Sequence, residues 1–144
     1  MAQLKINMVT FHVGNKKGKS LDGLVDILKE LWTEKSFDKE KEENKIQNPL
    51  KREVFVIVRD NGKLIGLGKV VTIGFVSCIT RFVISKEYRG KGLGKKLLSR
   101  LIGAAKKRSC KFMVLTSAGY RKHAHKFYEM NGFSRIYLLF FRFL

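Results

Sequence analysis

Cysteine, acidic residues and long apolar runs are all scarce in this chain of 144 residues. The two cysteines, Cys78 and Cys110, lack the close spacing of a zinc site. With no export signal, they predict free thiols in a reducing compartment. No stretch is apolar and long enough to span a bilayer, so no membrane is expected as a partner. Residues 1–11 mix Lys5 and Asn7 with apolar positions and lack a signal-peptide core, which predicts a cytoplasmic protein. Acids number 12 against 30 Lys and Arg, a net charge of +18. The deficit is concentrated: residues 73–144 hold 16 Lys and Arg but only Glu87 and Glu129 as acids. Such a field attracts anionic ligands, although composition bias or solubility explains a basic surface equally well. No repeat, linker or low-complexity segment interrupts the chain. Its 44% hydrophobic content argues against disorder and predicts a single domain over residues 1–144.

Hydrophobic spacing sets the expected order of elements. Alternation over residues 4–13 predicts a first strand, and residues 14–19 a basic turn. Ser20 is placed as an N-cap for a helix whose face is Leu21, Leu24, Val25, Leu28, Leu31 and Trp32. Residues 35–47 read as either a second short helix or a loop, broken at Asn48-Pro49. Strands follow over residues 53–59, 64–71 and 76–84, the first two joined by the hairpin turn Asp60-Asn61-Gly62. Leu93, Leu97, Leu98, Leu101, Ile102 and Ala105 form one helical face. A short strand over 112–116 and a helix carrying Tyr120, Ala124, Phe127 and Tyr128 come next. Asn131-Gly132 is a C-cap, and residues 133–144 read as a last strand. The order predicts an α/β protein with helices on both faces of a central sheet.

The segment with the most chemistry is Arg89-Gly90-Lys91-Gly92-Leu93-Gly94-Lys95, set between a strand and a helix. Alternating glycines let consecutive backbone N–H groups turn inward, and a helix N-terminus follows, which makes an anion site. Arg89, Lys91 and Lys95 add positive charge. A P-loop is excluded because no Ser or Thr follows Lys95, and a Rossmann fingerprint because the glycine spacing differs.

Arg89-x-x-Gly92-x-Gly94 resembles the pyrophosphate loop of the GNAT superfamily of acyl-CoA N-acetyltransferases. The flanking run from Phe82 through Gly94 resembles that family's strand 4, turn and helix 3, and His125-Lys126-Phe127-Tyr128-Glu129-Met130-Asn131-Gly132-Phe133 resembles its Phe-Tyr-x-x-x-Gly-Phe segment. The resemblance implies the GNAT fold, a mixed sheet whose strands 4 and 5 splay apart around the pantetheine arm. It implies an acetyl-CoA-dependent N-acetyltransferase, with acetyl-CoA as co-substrate, no metal, and a primary amine on a small molecule as acceptor. Backbone groups of Phe82, Val83 and Ile84 would pair with pantetheine. Amides of Gly90, Lys91, Gly92, Leu93, Gly94 and Lys95, with Arg89, would hold the pyrophosphate. Tyr128 would protonate the leaving thiolate, the alternative being a core aromatic beside Phe127.

Other positions are less determined. Strand 4 reads Ser77-Cys78-Ile79-Thr80-Arg81 and offers no carboxylate as a general base, so deprotonation through ordered water is one option. His123 and His125 read as surface residues and Glu87 as structural. Arg81 lies on the opposite side of its strand from Phe82, and near the thioester it would favour an anionic acceptor. Arg121 would contact CoA or such an acceptor, or else be a solvated helix-start arginine. The basic half keeps nucleic acid open as a partner, although no RNA-binding motif is recognisable. Two other functions stand beside the small-amine reading: a protein N-terminal or lysine acetyltransferase, and a non-catalytic CoA- or RNA-binding module. The oligomeric state is open, with a homodimer as one option. Residues 110–111, the Phe-Tyr segment and the Arg142-Phe143-Leu144 terminus also resemble glucosamine-6-phosphate N-acetyltransferases, without their acidic residue on strand 4.

Overall fold

A computed structural model describes residues 9–14, 20–31 and 38–136. Five strands form one sheet in sequence order: β1 (Val9–Val13), β2 (Glu53–Asp60), β3 (Lys63–Ile73), β4 (Val76–Ile84) and β5 (Phe112–Leu115). The first four pair antiparallel and β5 joins β4 in parallel. Helices α1 (Leu24–Leu31) and α2 (Lys39–Gln47) connect β1 to β2, α3 (Leu93–Lys107) connects β4 to β5, and α4 (Lys122–Met130) follows. This is the α/β architecture expected from the order of elements, a central sheet with helices on both faces. The proposed first-strand residues 4–8, helical Trp32 and final-strand residues 137–144 lie outside the described residues.

Both faces of the sheet are covered, which explains the near-continuous apolar run of β2. Val54, Val56 and Val58 join Ile79, Ile84, Leu97 and Leu101 in a cluster under α3. Phe55 and Ile57 join Leu24, Leu28, Ile46 and Val83 under α1 and α2. Gly68 is where α3 comes nearest: a Cβ there would sit 2.8 Å from Leu101 Cδ1 and 3.0 Å from Leu97 Cδ1.

The helices begin where local hydrogen bonding allows. Gly23, at φ +89, separates Ser20 from the helix, so α1 starts at Leu24. The Ser20 hydroxyl instead accepts the Asp22 N–H at 3.0 Å and closes the preceding turn. The ambiguous segment 35–47 resolves into α2 across Lys39–Gln47, capped by Asp38 accepting from the Lys41 N–H at 3.0 Å. Its hydrogen-bonded N-cap and its buried Ile46 compensate for weak periodicity.

Candidate active site

The site is organised by what happens to β4. Lys69 pairs with Arg81 but Val70 with Ile79, so Thr80 is an extra, bulged residue. The bulge puts Ile79, Phe82 and Ile84 against the α3-side cluster, and Val83 against the α1 side. The β4–β5 ladder ends at Ile79↔Leu115, while β4 continues to Ile84. Past that point β5 has ended and β4 runs on without it. Residues 81–84 stay paired to β3 through Lys69, Leu67 and the intervening glycines, but no described residue pairs with their β5-facing edge. An open edge of this kind accepts an extended ligand by strand-like hydrogen bonding.

Phe82 marks the start of the opening and is surrounded by rings from α4 and beyond. Its centroid lies 5.5 Å from Phe127 and 5.8 Å from Tyr128, and Tyr128 lies 5.3 Å from Phe127 and 5.7 Å from Phe133. Phe127 fills the core side of α4, where it packs on the α3-side cluster. The helical spacing thus gives Phe127 the packing role and brings Tyr128 to the part of β4 that lacks a β5 partner. Burial among these rings pushes the Tyr128 hydroxyl up to about 12, and the Arg121 charge acts in the opposite direction. Tyr128 therefore stays protonated throughout the neutral range.

The glycine loop follows a single 3-10 turn, Lys86–Tyr88. Gly90 and Gly92 have φ of 74° and 76°, and Gly92 caps α3 in the left-handed region that only glycine adopts cheaply. The amides at the start of α3 follow directly, and Lys96 is the first whose N–H returns to the loop, at 3.2 Å from the Gly92 carbonyl. The loop is thus a row of amides ending in a helix N-terminus, with buried Leu93 anchoring it from below and Gly94 passing the Phe127 ring.

The charged side chains are placed less simply than their spacing suggests. Arg89 Nε donates to the Ile84 carbonyl at 2.9 Å and its Nη2 to Glu30 at 2.6 Å. Lys91 donates to the Glu87 carbonyl at 3.0 Å, and Lys95 is exposed on the first turn of α3. Arg81 is buried on the α2 side, with Nη2 2.6 Å from Glu42. Glu42 also accepts from Lys45 at 2.8 Å; burial alone would raise its carboxyl, but Lys45 and Arg81 hold it below 4.5. Arg121 donates to the Leu31 carbonyl at 2.8 Å. His125 Nε2 lies 2.9 Å from the Ala118 carbonyl oxygen, and His123 is exposed. Two residues escaped the sequence reading: Glu30 and Glu42. Each meets an arginine far along the chain, and neither sits in a local pattern that announces it.

Comparison with known proteins agrees with this architecture. Among solved structures, the aminoglycoside N-acetyltransferase AAC(6')-Iy, in complex with a bisubstrate CoA analogue, superposes with a TM-score of 0.78 at 15% identity, covering 94% of this chain and 98% of that one. Glucosamine-6-phosphate N-acetyltransferase from Arabidopsis thaliana gives 0.74 at 22% identity, covering 93% and 98%. At such identities the likeness is one of fold. A probable spermine N(1)-acetyltransferase from Bacillus subtilis subsp. natto is 43% identical over 56 residues, which span 38% of this chain and 37% of that protein. The family model described as "Acetyltransferase (GNAT) family" matches residues 21–133, so the chain, with its half-paired β4 and glycine-capped α3, belongs to the GNAT acetyltransferases.

Proposed function

We propose that this acetyltransferase moves an acetyl group from acetyl-CoA directly to the primary amine of a small molecule, with Tyr128 as general acid. The observation that carries the reading is the position of Tyr128, 5.8 Å ring to ring from Phe82 where β4 loses its β5 partner. Acetyl-CoA supplies the activated thioester. The open edge at Phe82, Val83 and Ile84 fits an extended pantetheine arm, and an N–H of that edge polarises the carbonyl. The amides of residues 90–95 fit a pyrophosphate, with Lys91 and Lys95 adding charge.

Tyr128 holds the proton that a thiolate leaving group requires. Its high pKa is not an obstacle, because the burial that disfavours a phenolate also disfavours a thiolate beside it. Tyr128 gives a hydrogen bond that strengthens as sulfur gains charge, then the proton itself. With its pKa at about 12, it causes no alkaline loss of kcat between neutrality and pH 10.

For the acceptor, an anionic amine is served by Arg81 only if its phosphate or carboxylate takes over the place held by Glu42. A second reading, a polyamine acceptor, is favoured by the matched segment of the spermine acetyltransferase relative. Measuring CoA release across phosphorylated amines, aminoglycosides, polyamines and acidic peptides separates the two. A preference for phosphorylated amines, lost in Arg81→Ala with acetyl-CoA binding intact, supports the anionic acceptor. A preference for polyamines refutes it. No turnover with any amine, together with no binding of acetyl-CoA, refutes the enzymatic reading.

A further inference from the structure

We infer that Glu30, in the last turn of α1, is a positioning residue for the glycine loop, and that Arg89 serves as the handle it grips rather than as a ligand of the pyrophosphate. The inference rests on the acetyl-CoA reading above. Both Glu30 carboxylate oxygens accept the Lys86 N–H, at 3.0 and 3.1 Å. The Ser85 hydroxyl donates to the same carboxylate at 3.4 Å, and Arg89 Nη2 at 2.6 Å. Arg89 Nε is committed to the Ile84 carbonyl. One carboxylate therefore binds three residues of the segment that enters the loop, 55 to 59 positions away in sequence.

Guanidinium geometry decides where Arg89 points. Nε and one terminal nitrogen lie on the same edge of a planar fork, and that edge is the one carboxylates take in paired fashion. In Arg89 these two donors face Ile84 and Glu30, and Glu30 offsets the charge. Phosphate recognition is then left to the backbone amides. Those amides need the left-handed Gly90 and Gly92 held in place, and an anion nest fixed in advance binds with less entropy loss than one that must order. Leu93 anchors the downstream end; the Tyr88 hydroxyl, donating to Asp60 at 2.8 Å, and Glu30 anchor the upstream end. The next residue, Leu31, receives Arg121 near Tyr128, so the same turn of α1 touches both the loop and the helix of the general acid.

The test uses Glu30→Gln, which keeps the size and removes the charge, beside Glu30→Ala, Arg89→Ala and the double variant. CoA affinity by titration calorimetry should weaken about tenfold in each single variant, the scale of one lost charge-assisted hydrogen bond. Because Glu30→Ala and Arg89→Ala break the same contact, the two combined should be no weaker than the worse of them alone. KM for acetyl-CoA should follow, with kcat at saturation within about twofold of the parent. Hydrogen exchange of the Lys86 amide and of residues 90–95 in the ligand-free Gln variant should accelerate. If Arg89→Ala weakens CoA while Glu30→Gln binds it as tightly as the parent or tighter, Arg89 is a phosphate ligand and the inference is overturned. Unchanged loop exchange in Glu30→Gln also overturns it. Parent protein that binds no CoA refutes the acetyl-CoA reading instead, and the exchange measurement still decides whether Glu30 holds the loop.

Discussion

The two halves of β4 belong to one continuous strand and have opposite fates. From Val76 to Ile79 the strand is bonded on both edges, to β3 and to β5. From residue 81 onward it keeps only β3, and the Phe82 ring meets those of Phe127 and Tyr128. The difference comes from a bulge at Thr80 and from the short reach of β5, which ends at Leu115. The closed half contributes rigidity, and the open half can take a ligand as a substitute strand. Hydrophobicity does not separate them; hydrogen-bond satisfaction does.

The sharpest way to probe the contrast is Tyr128→Phe, which keeps the ring packing and removes the proton beside the open half. We expect kcat to fall by about 10²–10⁴, with affinity for acetyl-CoA unchanged in calorimetry. An unchanged kcat under conditions where chemistry limits would make Tyr128 a packing residue.

On the α2 side of the same strand, Glu42→Gln should leave CoA binding alone and cost about 1–3 kcal/mol in chemical denaturation, because buried Arg81 loses its charged partner. This cost depends on pH in a defined direction. The Glu42 carboxyl is held below the ordinary glutamate range in the folded protein. Its contribution is therefore present above the ordinary glutamate range and is lost as pH falls through the depressed folded-state value. The Gln variant should show a shallower acid limb of stability, and an equally steep one would assign acid sensitivity to other carboxylates such as Glu53, whose partner Lys69 also lowers its pKa against the effect of burial.

Gly68→Ala tests the support beneath the strands. The new methyl group must displace Leu97 or Leu101, for a loss of about 1–3 kcal/mol in ΔG of unfolding. A neutral result would mean that α3 has room to shift. The smallest effect is expected for Arg121→Ala, which removes a positive charge near Tyr128 and raises its pKa further. We expect kcat to drop about two- to fivefold, in keeping with a partly screened charge. A larger fall confined to KM of the acceptor would move Arg121 to substrate binding.

Much of the fold was legible because its signals are local. Period-2 and period-3.6 spacing placed the described strands and α1, α3 and α4 to within a few residues, and Asn61-Gly62 fixed the β2–β3 hairpin, with φ of 48° and 85°. The glycines at 90 and 92 announced positive φ, which the structure bears out. Tyr128 was singled out by its motif, whereas its helical face alone favoured a core residue. The charges were not legible. Arg81 and Arg89 read as free cations because nothing near them in sequence is a partner.

Sequence by itself determined the order of elements, the glycine loop, the apolar faces of α1 and α3 and the excess of positive charge, since each follows from steric or periodic rules that act within a few residues. Tertiary structure alone decided that Glu42 reaches Arg81, that Glu30 reaches Arg89 across 59 positions, and that the pairing of β4 with β5 stops at Ile79. Those outcomes depend on how helices settle on a twisted sheet, where a shift of a few ångströms makes or breaks an ion pair and where no short stretch of chain carries the information.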